Sequence, residues 1–187
     1  MSSSSNLRIA ERGGRPASPA RRTLLAALAC APLLALPTAA RAGSAAVAGL
    51  KRWGRGEFRR FGFPVYEATL WAGDDPQRPP LALRLDYKRS IEGAVIADAS
   101  VREMRRFVGD EALLAQWRAQ MRQIFPDVKP GDHILGVHGP DGASFYQDER
   151  LLGAIAAPEF AEAFFGIWLD ERTSAPELRA ALLGRAG

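Results

Sequence analysis

Cysteine is almost absent from this sequence. Among 187 residues there is one, Cys30, and it lies in the N-terminal segment. A single thiol cannot form an internal disulfide, and a chain that loses this segment has no thiol nucleophile at all. The sequence therefore argues against disulfide-stabilised folds and against cysteine-dependent catalysis.

Histidine is also scarce, and the common catalytic motifs are missing. The two histidines, His133 and His138, are five residues apart, so on one regular strand their side chains point to opposite faces. Such a pair does not chelate one metal ion. The sequence has no Gly-rich phosphate loop, no G-x-S-x-G and no H-E-x-x-H. We expect no metal site and no cofactor.

The longest apolar run is short and belongs to a predicted export signal. Arg21 and Arg22 precede TLLAALACAPLLALP, and Ala40-Arg41-Ala42 places small residues at the two positions that a signal peptidase recognises. The run is too short and too rich in proline for a membrane span. We predict cleavage near Ala42, with residues 1–42 as the signal and residues 43–187 as one domain in the periplasm.

Two alternatives concern this signal. Paired arginines behind a Ser/Arg-rich leader favour the twin-arginine route, but Ala20 and Leu25 depart from the fuller pattern, so the general secretory route is the alternative. Cys30 suggests a lipoprotein, but Ala27 stands where such signals have leucine. A nonlipidated, cleaved signal is the favoured interpretation.

The positive charge of the sequence belongs to the signal. Residues 1–42 contain six arginines and one glutamate, so their removal leaves 19 basic against 20 acidic residues, a formal net charge of −1. Binding to nucleic acid requires a concentrated positive field. We therefore expect no nucleic-acid partner, and no integral membrane span in the mature chain.

Strands, helices, strands and helices follow one another along the mature chain. GRGEFRRFGFPVYEATLWA predicts one or two strands with bends at Gly54, Gly56 and Gly62, and LALRLDYKR alternates as a half-buried strand. DHILGVHG, ASFYQD and LLGAIA predict an antiparallel meander, because only tight turns separate them. This order is typical of the α+β class.

Helix starts are predicted from capping residues. Ser100 and Glu103 have capping-box spacing, Asp110 is positioned to cap a helix, and Ser174 and Glu177 repeat the capping-box spacing before a final helix. Pro176 then falls in the first turn of that helix. Two helical segments carry these aromatic residues: Trp117, Phe160, Phe164, Phe165 and Trp168. Their helical spacing favours core packing over ligand binding.

One strand face carries a tyrosine among small residues. In FGFPVYEATLWA, Gly62, Pro64, Ala68, Leu70 and Ala72 share a face with Tyr66, and the face is nearly bare around the tyrosine. A bare face leaves room for a closely packed helix or for a ligand. Four arginines lie upstream of Tyr66: Arg52, Arg55, Arg59 and Arg60. Tyr66 and these arginines either bind an acidic head group through charge-assisted hydrogen bonds, or Tyr66 caps the core beside a solvated basic face. Both interpretations stay open.

Five segments in order resemble the chalcone isomerase-like family, and in particular its exported bacterial branch. They are GFPVYEATLWA, LRLDYKRSIEG, IFPDVKPGD, ASFYQDERLLGAI and PEFAEAFFGIWLDERTSAPELRAALLG. The resemblance implies an open-faced β-sandwich, in which helices cover one face of a long antiparallel sheet and leave a cleft. It also implies one of two functions, cyclisation of chalcones or binding of fatty acids through an arginine and a tyrosine.

Carried to this sequence, the resemblance assigns ligand-binding roles to Tyr66 and Arg55. Tyr66 occupies a position that is tyrosine in the fatty-acid binders and threonine in the enzymes. Arg55 matches the essential arginine after a gap of about one residue, with Arg52 as the competitor. The second tyrosine of the enzymes falls at Glu92 or Ile91 rather than at Tyr87, and Arg150 replaces a small hydroxyl residue.

Three hypotheses follow. The first is a periplasmic protein that binds a small hydrophobic acid such as a fatty acid without catalysis, with Arg55 and Tyr66 at the head group. The second is an isomerase, an intramolecular lyase that cyclises a phenolic enone, in which Arg55 orients the phenolate and Tyr66 assists the enolate. The third is a structural or interaction protein whose cleft is filled by its own side chains. The missing contacts of the enzymes favour the first.

Overall fold

Six antiparallel strands form one sheet in which the strand order follows the chain. The strands are β1 (Lys51–Arg60), β2 (Phe63–Ala72), β3 (Leu81–Tyr87), β4 (His133–Gly139), β5 (Gly142–Gln147) and β6 (Arg150–Ile155). The computed structural model describes residues 42–185. All of the predicted export signal except Ala42 therefore lies outside the described residues.

Four helices, α2 to α5, cover one face of this sheet, and a short α1 lies against β5 and β6. The helices are α1 (Ala42–Ala46), α2 (Gly93–Met104), α3 (Glu111–Ile124), α4 (Pro158–Leu169) and α5 (Pro176–Leu182). The predicted α+β class and the open-faced sheet are confirmed. In residues 42–185 no helix combines the length and the apolar character that crossing a bilayer requires.

The alternation predicted for β3 decides which side chains enter the core. Leu81, Leu83 and Tyr87 are almost fully buried on the face toward the helices, with Leu85 between them. In the register of the sheet, Tyr87 lies directly opposite Tyr66 of β2. The period of two therefore aligns the two phenols in neighbouring strands on the same face.

Helix α4 buries most of its side chains in the core and exposes Glu159 and Glu162. Phe160, Phe164 and Trp168 are all less than a tenth exposed and follow one another at four-residue steps. Trp117 of α3 packs edge-on against Phe160, with ring centroids 5.5 Å apart. The predicted core role of these aromatic residues is confirmed, and Phe164 and Trp168 also reach the cavity described below.

Asp110 caps α3 as its position predicts. One carboxylate oxygen accepts hydrogen bonds from the backbone N–H groups of Ala112 at 2.9 Å and Leu113 at 3.0 Å. These N–H groups have no partner within the helix, so the carboxylate satisfies them and also complements the positive end of the helix dipole.

The two predicted capping boxes are wrong. Ser100 lies inside α2, where its hydroxyl donates to the carbonyl oxygen of Ile96 at 2.9 Å. Ser174 precedes the true N-cap residue of α5, Ala175, which makes no side-chain capping bond, whereas Pro176 does occupy the first turn as predicted. In both cases the spacing was present, but the helix begins elsewhere.

The N-terminus of α2 is held by a residue from a distant loop. Gly93 begins the helix, and its N–H donates to a carboxylate oxygen of Asp127 at 2.8 Å. The residue before it, Glu92, makes no capping bond with its side chain. Because the acceptor comes from 34 residues away, no local pattern identifies this helix start.

The glycines of β1 have a different role from the one predicted. Gly62 forms a turn with φ of 81°, as expected of a bend. Gly54 and Gly56 instead lie within the strand, although an irregularity in the β1–β2 register adjoins Gly54. A Cβ atom on Gly54 would collide with the backbone of Ala181 in α5, and one on Gly56 would lie 2.8 Å from a methyl carbon of Leu178. These two glycines therefore allow α5 to pack directly on β1.

Candidate ligand-binding site

A cavity of about 520 Å³ lies between the sheet and helices α2 and α4. The volume falls within the range of roughly 300–1,000 Å³ that is usual for sites of small organic ligands. Most of its wall is apolar: Leu83, Leu85, Ile91, Ile96, Phe125, Ile134, Phe145, Phe164 and Ile167. The third hypothesis required a cleft filled by its own side chains, and the open cavity contradicts that requirement.

Small residues occur on both layers around this space. Gly136 of β4 and Ala99 of α2 line the cavity, and Ala68 follows Tyr66 on the same face of β2. The bare face predicted around Tyr66 thus leaves room in two ways. A helix approaches closely at the glycines of β1, and an open space remains beside Tyr66.

A hydrogen bond between Trp168 and Tyr66 joins the two layers. Trp168 is on α4, and its indole N–H donates to the Tyr66 hydroxyl oxygen at 3.0 Å. An indole N–H has no acceptor function, so the phenol must be the acceptor in this bond. The proton of the Tyr66 hydroxyl has no acceptor among the described residues, and it remains available to a ligand.

The environment keeps the Tyr66 phenol protonated. Burial of its hydroxyl raises the pKa of Tyr66 well above its usual value, the hydrogen bond from Trp168 lowers it, and the charge of Glu103 raises it further. Burial is the largest effect, because it removes the water that would stabilise a phenolate. At neutral pH Tyr66 is therefore a hydrogen-bond donor.

Tyr87 supplies a second buried phenol. It is 3% exposed, lines the cavity and has its ring 6.2 Å from that of Tyr66 in an edge-on arrangement. Burial raises its pKa, and the neighbouring Tyr66 adds to that rise. Its hydroxyl has no hydrogen-bond partner in residues 42–185. Phe58 of β1 stacks on the other side of Tyr66 at 5.0 Å, so three aromatic rings cross three strands in one row.

Arginines stand among the exposed residues that mark the opening of the cavity. We define the mouth as five of the exposed residues that line the cavity, and three further exposed residues, Ser90, Arg102 and Ser174, also line it; the mouth is Arg60, Phe61, Phe63, Arg89 and Val95. Arg102 of α2 also lines the cavity and has no ion-pair partner in the described part of the chain. The neighbouring Glu103 is engaged by Arg106, at 3.1 Å. The entrance thus favours an anion.

Arg55 lies away from this cavity. Its side chain is 64% exposed and forms an ion pair of 3.6 Å with Glu67. Arg55 is opposite Thr69 in the sheet, whereas Phe58 is opposite Tyr66, so Arg55 points to the face that the helices leave open. Arg52 pairs with Trp71 on that same face. The structure therefore does not bring the predicted Arg55 and Tyr66 together, and neither Arg52 nor Arg55 lines the cavity.

The other positions aligned with site residues of the family also lie partly inside and partly outside the cavity. Ile91 lines the cavity and bridges to Val128, whereas Glu92 is exposed at the start of α2 and Arg150 is exposed on β6. Tyr87, which the resemblance placed too early in the chain, is the second tyrosine of the cavity. The cavity therefore has a second tyrosine at a position that the resemblance did not select.

The histidines occupy different environments, as their spacing predicts. His138 is buried and stacks on Phe165, with ring centroids 5.2 Å apart, and its Nδ1 lies 3.0 Å from the carbonyl oxygen of Gly139. His133 lies at the other end of β4, with Nε2 3.8 Å from a carboxylate oxygen of Asp148. Within residues 42–185 no three His, Cys, Asp or Glu side chains are grouped to hold a metal ion.

The family follows from a match over most of the chain. A family model described as chalcone isomerase-like covers residues 53–184. The chain belongs to the chalcone isomerase-like family. The resemblance inferred from the five sequence segments is confirmed, and the matched residues include all six strands except the first two residues of β1.

Two known proteins are similar to this chalcone isomerase-like protein. An uncharacterised protein of Haemophilus influenzae is 27% identical over 135 residues, which are 71% of this chain and 67% of that protein. The crystal structure of a fatty-acid-binding protein of Arabidopsis thaliana is similar with a TM-score of 0.58 and 14% identity, over 74% of this chain and 89% of that one. At this identity the second likeness shows the fold alone.

Sequence reasoning missed two functional candidates. Trp168 was explained as a core residue, but its indole also orients the Tyr66 hydroxyl. Tyr87 was recognised as an inward-facing strand residue without a role in the site. The alternation of LALRLDY did indicate its direction, but its contact with Tyr66 depends on the pairing register of two strands.

Proposed function

We propose that this chain is an exported protein that binds a small hydrophobic acid, such as a fatty acid, in the cavity beside Tyr66 and does not transform it. The observation that carries the proposal is a largely apolar cavity of about 520 Å³ with a protonated phenol whose O–H has no acceptor in the described residues. A ligand with an apolar tail and an acceptor head group complements both features.

The apolar wall accounts for the tail. Each methylene transferred from water into such an environment contributes about 0.8 kcal/mol. At roughly 30 Å³ for each water-sized group, the cavity holds on the order of 17 such groups. That size suits a medium or long acyl chain. Affinity should therefore increase with chain length until the cavity is full.

Two phenols and one arginine account for the head group. Tyr66 and Tyr87 each offer a hydroxyl proton, and a carboxylate oxygen accepts such bonds more strongly than a neutral carbonyl does. Arg102, which lines the same cavity, adds a positive charge. The fold shared with a plant fatty-acid-binding protein supports this class of ligand.

Cyclisation is the weaker candidate on this geometry. That hypothesis needed Arg55 to hold a phenolate, and Arg55 is on the opposite face of the sheet. The high pKa of both cavity phenols suits donors to a carbonyl oxygen, but neither phenol acts as a base near neutral pH. An assay of chalcone absorbance, compared with the spontaneous rate, tests this candidate directly.

Periplasmic location is part of the proposal and rests on residues 1–42. The paired arginines, the apolar run and Ala40-Arg41-Ala42 support a cleaved export signal. Cell fractionation with a C-terminal tag should find a shortened protein outside the cytoplasm. Replacing Arg21 and Arg22 by lysine should cause accumulation of the precursor if export uses the twin-arginine route.

Calorimetric titration of the delipidated protein with octanoate, laurate and palmitate tests the ligand. Tyr66→Phe removes one charge-assisted hydrogen bond, worth roughly 1.5–3 kcal/mol, so its affinity for laurate should fall roughly 10- to 100-fold. Tyr146→Phe is the matched control, because Tyr146 of β5 does not line the cavity.

A second matched pair tests which arginine contributes. Arg102→Gln should weaken binding, whereas Arg55→Gln should bind laurate like the wild type, since its guanidinium pairs with Glu67 outside the cavity. Absence of saturable binding by the wild type, or equal binding by wild type and Tyr66→Phe, would contradict the proposed function.

A further inference from the structure

Exposed apolar side chains in this protein cluster at the mouth of the cavity. Among the described residues four large hydrophobic side chains are strongly exposed, and three of them line the mouth: Phe61 at 87%, Phe63 at 65% and Val95 at 51%. Single exposed apolar residues are ordinary on protein surfaces, but a cluster beside a cavity indicates an interaction surface.

Phe61 is held in a backbone conformation that a phenylalanine rarely adopts. It forms the two-residue turn between β1 and β2 together with Gly62, and their φ angles are 52° and 81°. Hairpin turns with two positive φ angles favour asparagine, aspartate and glycine. A bulky residue with positive φ is disfavoured. Packing does not explain this phenylalanine, because its ring is in solvent.

Cations accompany the two rings. The guanidinium of Arg60 lies 5.4 Å from the centroid of Phe61, and that of Arg89 lies 6.0 Å from the centroid of Phe63. Arg60, Lys88 and Arg89 are exposed and have no ion-pair partner in residues 42–185. The turn therefore presents aromatic rings surrounded by uncompensated positive charge, although the formal charge of residues 43–187 is close to zero.

We infer that this turn docks on the surface of an anionic phospholipid membrane. Aromatic rings flanked by basic side chains suit the boundary between head groups and acyl chains. Each basic residue near an anionic surface adds to the attraction. Arg60 and Arg89 complement the lipid phosphates, and Phe61 and Phe63 enter the apolar boundary beneath them.

Because the docking surface surrounds the mouth, docking would serve ligand transfer. This role rests on the proposed function. The same side chains that dock also line the cavity, so docking brings the entrance to the level of the acyl chains. A fatty acid then moves between membrane and cavity without exposing its tail to bulk water. An acidic protein surface would have the same charge complementarity but would not need the mouth beside it.

Vesicle cosedimentation of the ligand-free protein tests the inference. The probes are vesicles of phosphatidylcholine alone and of phosphatidylcholine mixed with phosphatidylglycerol. The wild type should bind the anionic vesicles more strongly, and added salt should weaken that binding. Phe61→Asn and Phe63→Thr should each reduce binding roughly tenfold or more, the factor expected when a phenyl ring no longer leaves water.

The variants are chosen so that folding does not confound the result. Asparagine tolerates positive φ and threonine suits a strand, so both proteins should melt at or above the wild-type temperature. Leu151→Thr is the matched control, since Leu151 is also exposed but lies on β6 and does not line the cavity. It should bind vesicles like the wild type.

The results separate this inference from the proposed function. No wild-type binding to anionic vesicles, or unchanged binding by both phenylalanine variants, would overturn the docking surface, as would a protein partner that occupies the turn in the absence of any vesicle binding. Fatty-acid affinity is measured separately on the wild type without vesicles. Its absence would remove the ligand, while vesicle binding that depends on Phe61 and Phe63 would still support the docking surface.

Discussion

Trp168 donates a hydrogen bond of 3.0 Å to the hydroxyl of Tyr66, across 102 residues of sequence and from the helical layer to the sheet. The bond fixes the direction from which the phenol accepts. It therefore also restricts where the phenol can donate. In this protein a residue of the hydrophobic core positions the polar group of the cavity.

A double-mutant cycle measures this bond. Tyr66→Phe and Trp168→Phe each remove one partner, and the double variant removes both. A buried hydrogen bond contributes about 0.5–1.5 kcal/mol, so we expect a coupling free energy of about 1 kcal/mol in urea unfolding. A cycle of Tyr66→Phe with Trp117→Phe should show no coupling, because Trp117 packs against Phe160 instead.

The contact between α5 and β1 should tolerate no added methyl group at Gly54. The new Cβ atom would collide with the carbonyl oxygens of Ala181 and Leu182, and backbone atoms cannot rotate away. We expect Gly54→Ala to lower the free energy of unfolding by about 1–3 kcal/mol or more. Gly73→Ala is the matched control, since a Cβ atom there meets nothing within 4 Å. Equal melting temperatures for both variants would contradict the close packing.

Alkaline pH should destabilise the fold through the two cavity phenols. Burial raises the pKa of Tyr66 and of Tyr87 in the folded state. The unfolded chain loses these protons near pH 10, so above that pH it binds fewer protons than the folded chain does. The stabilising contribution is complete below pH 10 and is lost as pH rises toward the folded pKa values.

Unfolding experiments between pH 9 and 11 check this sign. Each phenol contributes a slope of at most about 1.4 kcal/mol per pH unit. The Tyr66→Phe, Tyr87→Phe double variant should lose most of the slope. A double variant with the slope of the wild type would show that other groups cause the alkaline loss of stability.

The sequence predicted the elements of the fold because their causes are local. Period two identified β3, four-residue steps identified the buried side of α4, and Asp110 identified the start of α3. In each case the residues that determine the element lie within it. The cap of α2 escaped prediction because its acceptor, Asp127, comes from another loop.

The site was predicted only in part, for a reason of register. Alternation within β2 correctly placed Tyr66 on the helix-facing side, but the partner of Tyr66 on β1 depends on how the strands pair. The register of β1 and β2 shifts twice, between Arg52 and Gly54 and between Phe58 and Arg59. The resemblance to the family's essential arginine, which does not include this register, selected Arg55, whereas the structure places Phe58 beside Tyr66.

The packing of α5 on β1 also determines when the helix-facing side of β1 is covered. β1 is an edge strand, and the ribosome makes it more than a hundred residues before α5. Until α5 is made, that helix cannot cover the bare backbone of Gly54 and Gly56, and this face of β1 is open to contact with other chains. A newly made chain thus passes through a stage in which it needs protection from aggregation, and that stage ends only when its C-terminal helix has docked.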